Sequence, residues 1–243
     1  MKKLKTIAII PARLESSRLP GKALLDICGL PMIVHVFKRC EFAESLDEVF
    51  VATDNDEICQ VVEQYGGKVI MTSSHHENGT ERIVEAAKNI DADIVVNVQG
   101  DEALVNPAHI DAAVNALIKD QNVNVAILVN EFSKRNSPSD IKTVLDEENN
   151  VMYLSRSDIP SDARTKNTPM LKAYHILPFR KEFLLKYASW KKGYLEQIEY
   201  HEHLRILEKG YKIRAVRVDS DAVSVDTEED LKKVEIIIKT NND

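Results

Sequence analysis

Apolar residues along this chain fall into two alternating patterns. Short β-branched runs at Thr6–Ile10, Glu48–Ala52, Lys68–Met71, Ile94–Val98 and Asn124–Val129 read as buried strands. Between them lie segments with helical spacing. Pro31 is expected to open a helix that runs through Cys40, with Ile33, Val36, Phe37 and Cys40 on one face. Further helices are expected over Asp54–Tyr65, stopped by Gly66-Gly67, and over Thr80–Lys88 and Asp111–Lys119. Strands alternating with helices imply βαβ crossovers. The predicted class is therefore α/β, three layers α/β/α around a mostly parallel, mixed sheet.

The rhythm changes near residue 130. Ile141–Leu145 and Val151–Ser155 flank a polar turn and predict an antiparallel hairpin. Leu171–Leu177 reads as one strand, Lys181–Ala188 and Leu195–Glu208 as helices, and Lys212–Val218 as a strand. Thr227–Lys239 reads as a closing helix with Thr227 as N-cap and Asp230 three residues on. We expect a division near residue 130, with residues 131–243 wrapping on the same sheet as residues 1–130 and the whole being one continuous domain.

Charge and cysteine content narrow the function classes. The 243 residues carry 32 basic and 39 acidic side chains, a net charge of −7. That balance lacks the basic footprint of a protein that binds duplex DNA or an anionic membrane. No apolar run approaches the roughly 20 residues that span a bilayer. Lys2, Lys3 and Lys5 before Ile7–Ile10 are too short a pattern for a signal peptide, so a cytoplasmic protein is expected. Cys28, Cys40 and Cys59 are odd in number and scattered, which fits reduced thiols rather than a disulfide or zinc framework.

Candidate chemistry gathers at strand ends. The segment Pro11-Ala12-Arg13 through Arg18-Leu19-Pro20-Gly21-Lys22 follows the first strand directly. In an open parallel sheet, ligands bind beyond the carboxyl ends of the strands. A loop there with Arg13, Arg18 and Lys22 suits a polyphosphate, whose charge needs partners once water is excluded. It is neither a Walker A loop nor a G-x-G-x-x-G fingerprint. The run Ile94–Val98 leads into Gln99-Gly100-Asp101-Glu102. Asp101 is placed to hold Mg²⁺, a hard ion that takes one or two carboxylates plus substrate phosphates, and Gln99 to read a base edge. A strand-end turn has the same composition. Asp226, ahead of the closing helix, offers a second carboxylate, although acidic residues also suit a first helical turn by themselves. Asn78-Gly79-Thr80-Glu81-Arg82 reads equally as a ligand-binding helix start or as an ordinary N-cap. Asp219-Ser220-Asp221 reads as a solvated turn. His201 and His203 are expected on one helix and facing different ways, so they form no zinc pair.

Taken together, these segments resemble the CMP-KDO synthetases, that is, the 3-deoxy-manno-octulosonate (KDO) cytidylyltransferases. The likeness also includes Pro31-Met32-Ile33-Val34-His35-Val36, Val51-Ala52-Thr53-Asp54, Tyr153-Leu154-Ser155-Arg156 and Val225-Asp226-Thr227, in order over nearly the whole chain. The resemblance implies a nucleotide-diphospho-sugar transferase-like fold, a homodimer, and a role in lipopolysaccharide or capsule synthesis. It implies that Arg13, Lys22, Asp101 and Asp226 carry catalysis, with Mg²⁺ on Asp101 and Asp226. CTP would meet Pro11, Ala12, Arg13, Lys22, Gly79, Thr80, Arg82 and Gln99. The anomeric hydroxyl of a sugar acid would attack the α-phosphorus and release pyrophosphate. On the acceptor side, Arg156, His175, Glu202 and His203 are implied. There the sequence departs from the family pattern His-x-Gly-Ile-Tyr-x-Tyr. It reads Ala173-Tyr174-His175-Ile176-Leu177-Pro178-Phe179, and His203 stands where the family has glutamine. A KDO acceptor or a related ulosonic acid is therefore expected. A nucleotide-sugar glycosyltransferase of similar fold and a non-catalytic nucleotide-binding homologue are the other readings.

Overall fold

The computed structural model describes residues 3–15, 19–165, 168–219 and 224–241. In chain order the first elements are β1 (Thr6–Pro11), β2 (Asp26–Ile27), β3 (Leu30–Pro31), α1 (Met32–Cys40), β4 (Glu48–Thr53), α2 (Asp56–Gln64), β5 (Lys68–Met71), α3 (Gly79–Ala87), β6 (Ile94–Val98) and α4 (Pro107–Lys119). There follow β7 (Ala126–Phe132), β8 (Lys142–Leu145), β9 (Val151–Ser155), β10 (Met170–Tyr174) and β11 (Ile176–Arg180). The last are α5 (Lys181–Ala188), α6 (Tyr194–Glu199), α7 (Leu204–Glu208), β12 (Arg214–Arg217) and α8 (Glu228–Asn241). The described residues pack as two compact units, those within 1–111 and 221–243, and those within 112–220.

In the first unit four strands pair in the order β6-β1-β4-β5, all parallel. The chain runs outward from β1 to β4 and β5, then returns to set β6 on the other side of β1. Right-handed crossovers put α1 and α2 on one face and α3 on the other. The strand interiors are continuous apolar runs because both faces are covered, and Ile7 to Ile10 are fully buried. The reversal makes the carboxyl ends of β1 and β6 the switch point where such sheets bind ligands. α8 belongs to this unit rather than to the expected C-terminal part. Its Val234 and Ile238 join a buried cluster with Leu19, Ile27, Met32, Ala103 and Val225.

The second unit holds a sheet in the order β12-β7-β10-β8-β9. The predicted hairpin is present as antiparallel β8 and β9. The expected strand over Leu171–Leu177 breaks at His175. β10 stays in the ladder with β7 and β8, while β11 leaves it and touches β7's approach through a Val125–Phe179 bridge. The expected helix over Leu195–Glu208 also breaks. Tyr200 adopts a left-handed conformation (φ 49°) and ends α6, and α7 starts at Leu204. A buried ion pair holds this elbow, with Arg205 Nε donating to Glu196 Oε2 at 2.7 Å.

Smaller differences concern helix starts. Pro31 ends β3 and caps α1 instead of opening it. α2 begins after Asn55, whose side chain accepts from the Ile58 amide. α4 begins at Pro107, four residues before the expected start at Asp111. Thr227 does cap α8, exchanging bonds with Asp230. Among the described residues no helix is long and apolar enough to cross a membrane. Ser220 and Asp221 of the Asp-x-Asp segment lie outside the described residues.

Candidate active site

The carboxyl ends of β1 and β6 open into a cleft lined by Pro11, Ala12, Arg13, Lys22, Gly79, Arg82, Gln99, Gly100, Asp101 and Asp226. Most residues expected to meet the nucleotide are thus on one wall. Two backbone features bring the two strand ends and the basic loop together. A Cβ at Gly100 would fall 2.8 Å from the Pro11 carbonyl oxygen, so only glycine lets β6 exit this close to β1. Gly21 takes φ 68°, turning the loop so that Lys22 enters the cleft at the start of a 3₁₀ turn. Arg13 is exposed at the rim, and Arg18 lies outside the described residues.

At the floor of the cleft three charges meet. Lys22 Nζ donates to Asp101 Oδ2 at 2.8 Å and to Asp226 Oδ1 at 3.0 Å. Asp226 is held there by its neighbours. The Val225 amide donates to the Asp101 carbonyl at 3.0 Å, the Val225 side chain is buried, and Ser224 Oγ donates to the buried Glu102. Two carboxylates and one ammonium leave a net negative charge around convergent hard oxygen donors. That donor set fits a divalent cation such as Mg²⁺. Among the described residues no cluster of three or more His, Cys, Asp or Glu side chains suits a metal, so phosphate oxygens would have to complete the shell.

The remaining nucleotide-side residues divide into wall and support. Gln99 is on the wall. Its Nε2 donates to Asn97 Oδ1 at 2.7 Å, and Asn97 Nδ2 donates to Thr80 Oγ1 at 3.3 Å. Thr80 is fully buried behind the wall. Arg82 reaches the cleft but is held by Asp54 at 3.1 Å and by Thr72 Oγ1 at 2.6 Å. Asn78 is both N-cap and wall, its side chain accepting from the Glu81 amide. Sequence reasoning missed Met32 and His76 as lining residues. His76 is fixed by Glu85, whose carboxyl it holds below the usual range. Neither belongs to a strand-end motif, so no spacing announced them.

The residues expected on the acceptor side all belong to the second unit. Arg156 is committed to backbone. Its guanidinium donates to the carbonyls of Pro138, Glu199 and Tyr200 at 2.8, 2.8 and 3.0 Å. Those bonds use three of its five N–H groups. The loop it crosses is anchored by Lys142, which is fully buried and donates to the carbonyls of Ser137, Asp140 and Arg156. Burial lowers the Lys142 ammonium's pKa. His175, His201 and His203 come together, contrary to the expectation that His201 and His203 diverge. Ring centroids are 5.0 Å apart for His201 and His203, 5.8 Å for His175 and His201, and 6.4 Å for His175 and His203. The break at Tyr200 frees the two histidines from helical spacing. Burial, reinforced by the neighbouring imidazoles, pushes His201 well below the usual histidine range, and burial pushes His203 down to about 3. Glu202 Oε1 lies 3.8 Å from His203 Nε2. Ala173 and Leu177 are fully buried apolar side chains.

A lysine paired with two aspartates at the switch point of a parallel sheet fits a phosphate-binding α/β protein. Known proteins sharpen it. Residues 7–213 match the family described as Cytidylyltransferase. A 3-deoxy-manno-octulosonate cytidylyltransferase of Geotalea uraniireducens is 42% identical over 245 residues, covering 95% of this chain and 98% of that protein. One from Geobacter metallireducens is also 42% identical, covering 95% and 96%. The solved structure of CMP:2-keto-3-deoxy-manno-octonic acid synthetase complexed with CTP superposes with a TM-score of 0.94 at 38% identity, covering 98% of this chain and 99% of that one. The chain belongs to the 3-deoxy-manno-octulosonate cytidylyltransferase family.

Proposed function

We propose that this protein transfers CMP from CTP to the anomeric hydroxyl of KDO or a closely related ulosonic acid and releases pyrophosphate. The observation that carries this reading is the convergence of Asp101 and Asp226 on Lys22 at the floor of the cleft. The sugar hydroxyl oxygen forms the new bond to the α-phosphorus. The bond from that phosphorus to the bridging oxygen breaks, and its electron pair leaves with pyrophosphate. The hydroxyl proton passes to solvent water as the oxygen attacks. In-line transfer of this kind needs positioning and charge stabilisation rather than a covalent nucleophile. Arg13 and Lys22 supply positive charge for the phosphates. Asp101 and Asp226 would hold Mg²⁺, which when bound neutralises charge on the phosphates. Gly79 and Gln99 border the base, and Arg82 braces that wall through Asp54 and Thr72.

On the acceptor side we assign Arg156, His175, Glu202 and His203. Arg156 keeps two N–H groups for a sugar carboxylate beyond the three it spends on carbonyls. The buried Ala173 and Leu177 stand where the family pattern has polar residues. That favours an acceptor recognised by imidazoles instead, and a polar-site change of this kind shifts specificity strongly. The protein acts in this reading as a cytoplasmic homodimer, in lipopolysaccharide or capsule synthesis.

The test is label retention. CTP labelled at the α-phosphorus is incubated with Mg²⁺ and each sugar acid in turn. Label found in a CMP-sugar, with unlabelled pyrophosphate, is the expected result. Label unmoved in CTP, together with passage of the sugar of an added sugar-labelled CMP-sugar to a second acceptor, would instead indicate a glycosyltransferase. Label remaining in CTP with every acid, despite CTP binding, would indicate a non-catalytic homologue.

A further inference from the structure

The hydrogen bonds behind the base wall run in one direction. Gln99 Nε2 donates to Asn97 Oδ1, and Asn97 Nδ2 donates to Thr80 Oγ1. Asn97 and Gln99 are two apart on the same strand and its exit, so their side chains leave on the same face. Asn97 and Thr80 are both fully buried, and no water is needed to complete the chain between them. A primary amide carries its acceptor and its donor in one plane, on opposite sides of the bond that attaches it. With Nε2 turned inward, Gln99 has Oε1 to offer, and among the described residues that oxygen makes no hydrogen bond.

We propose that Asn97 is a positioning residue for nucleobase selection: it fixes the Gln99 amide with its acceptor toward the cleft, and so selects cytosine over uracil. This rests on the reading that CTP occupies the cleft. Cytosine carries an amino donor at position 4, where uracil carries a carbonyl acceptor. An inward-held Nε2 lets Oε1 pair with the amino group and sets it against the uracil oxygen. Were Asn97 turned over, its Nδ2 would donate to Gln99 Oε1 and the wall would offer Nε2, which suits uracil. The selection therefore resides in a residue that does not line the cleft.

The experiment compares kcat/KM for CTP and UTP with one sugar acid in the wild type, Asn97→Leu and Asn97→Asp. Loss of the fixed amide should narrow the CTP preference of Asn97→Leu by at least about tenfold, since an unsatisfied or mismatched polar pair costs that much. Asn97→Asp keeps the acceptor for Gln99 Nε2, and the Thr80 hydroxyl can donate to it, so most of the preference should return. A purely structural role would lower both substrates together and leave the ratio unchanged. Should Asn97→Leu fail to fold, Thr80→Val removes the anchor of Asn97 and should narrow the ratio too. An unchanged ratio in a folded, active Asn97→Leu or Thr80→Val enzyme overturns the proposal. A wild type that does not turn over CTP, or shows no preference for it, overturns the reading beneath it instead.

Discussion

Asp101 and Asp226, one at the end of β6 and the other ahead of α8, share a single ammonium, that of Lys22. Each side chain is about a quarter exposed, at 28% and 29%, whereas Lys22 is at 14%. The arrangement matters because neither carboxylate could be brought near the other without an intervening cation. Lys22→Met should therefore have two effects. Charge repulsion should loosen the segment around Asp226, and the phosphates should lose a partner. We expect kcat/KM to fall by roughly 10²–10³-fold, with a smaller loss of stability, read by steady-state kinetics and thermal melting together. Near-normal kcat/KM would remove Lys22 from the machinery.

Gly100 controls how the two strand ends meet. Gly100→Ala forces its new methyl to within 2.8 Å of the Pro11 carbonyl oxygen, so backbone must move. The expected cost is about 1–3 kcal/mol in unfolding free energy. Displacing Asp101 from the loop of Arg13 should also lower kcat, because misplacement by about 1 Å can cost roughly 100-fold. Chemical denaturation and kinetics on the same variant check both. A stable variant of normal kcat would show that the approach is not needed.

The two buried histidines predict acid sensitivity. Their folded pKa values lie below the unfolded value of 6.5, with His203 at about 3. The folded protein holds both rings neutral, while the unfolded chain takes up protons below pH 6.5. Stability is thus full above pH 6.5 and lost as pH falls from there toward about 3. The slope for one such ring is about 1.4 kcal/mol per pH unit. Melting temperature should drop steeply between pH 6.5 and pH 4, and His203→Gln should flatten the drop. An identical profile in that variant would contradict the account.

The elbow between α6 and α7 should be intolerant of a half-removed ion pair. Arg205 stacks over the Tyr187 ring at 4.7 Å and pairs with the buried Glu196. Arg205→Met leaves the carboxylate buried without its counter-charge, with the Gly193 amide still donating to it, which typically costs about 3–5 kcal/mol. Replacing Glu196 by Leu as well should recover much of that loss. Equal losses in the single and double variants would mean that packing, not the charge, is what matters there.

How far the sequence could be read follows from these same residues. The first unit was legible because its strands are buried on both faces and its loops carry strong punctuation. Lys68–Met71 and Ile94–Val98 matched residue for residue. Lys22, Asp101 and Asp226 stand out in the sequence because charged residues at strand ends need a reason, and the structure brings the three side chains together. The second unit was harder. Glu196 and Arg205 look like surface residues, and their burial as a pair hid the elbow that breaks the helix. His201 and His203 were judged by helical spacing, which the left-handed Tyr200 abolishes. The break at His175 has no glycine or proline to announce it. The expected start of α4 at Asp111 passed over Asn106-Pro107, although asparagine caps and proline opens helices. Arg156 is implied on the acceptor side by the resemblance, and nothing in its sequence neighbourhood signals that three carbonyls engage it.

The most direct test of the central claim is pyrophosphate release from Mg²⁺-CTP with KDO as the sole acceptor. The account predicts release that depends on KDO, is matched mole for mole by a CMP-sugar, and collapses in Asp101→Asn. Silence with KDO and with every other ulosonic acid, from a folded protein that binds CTP, would contradict it.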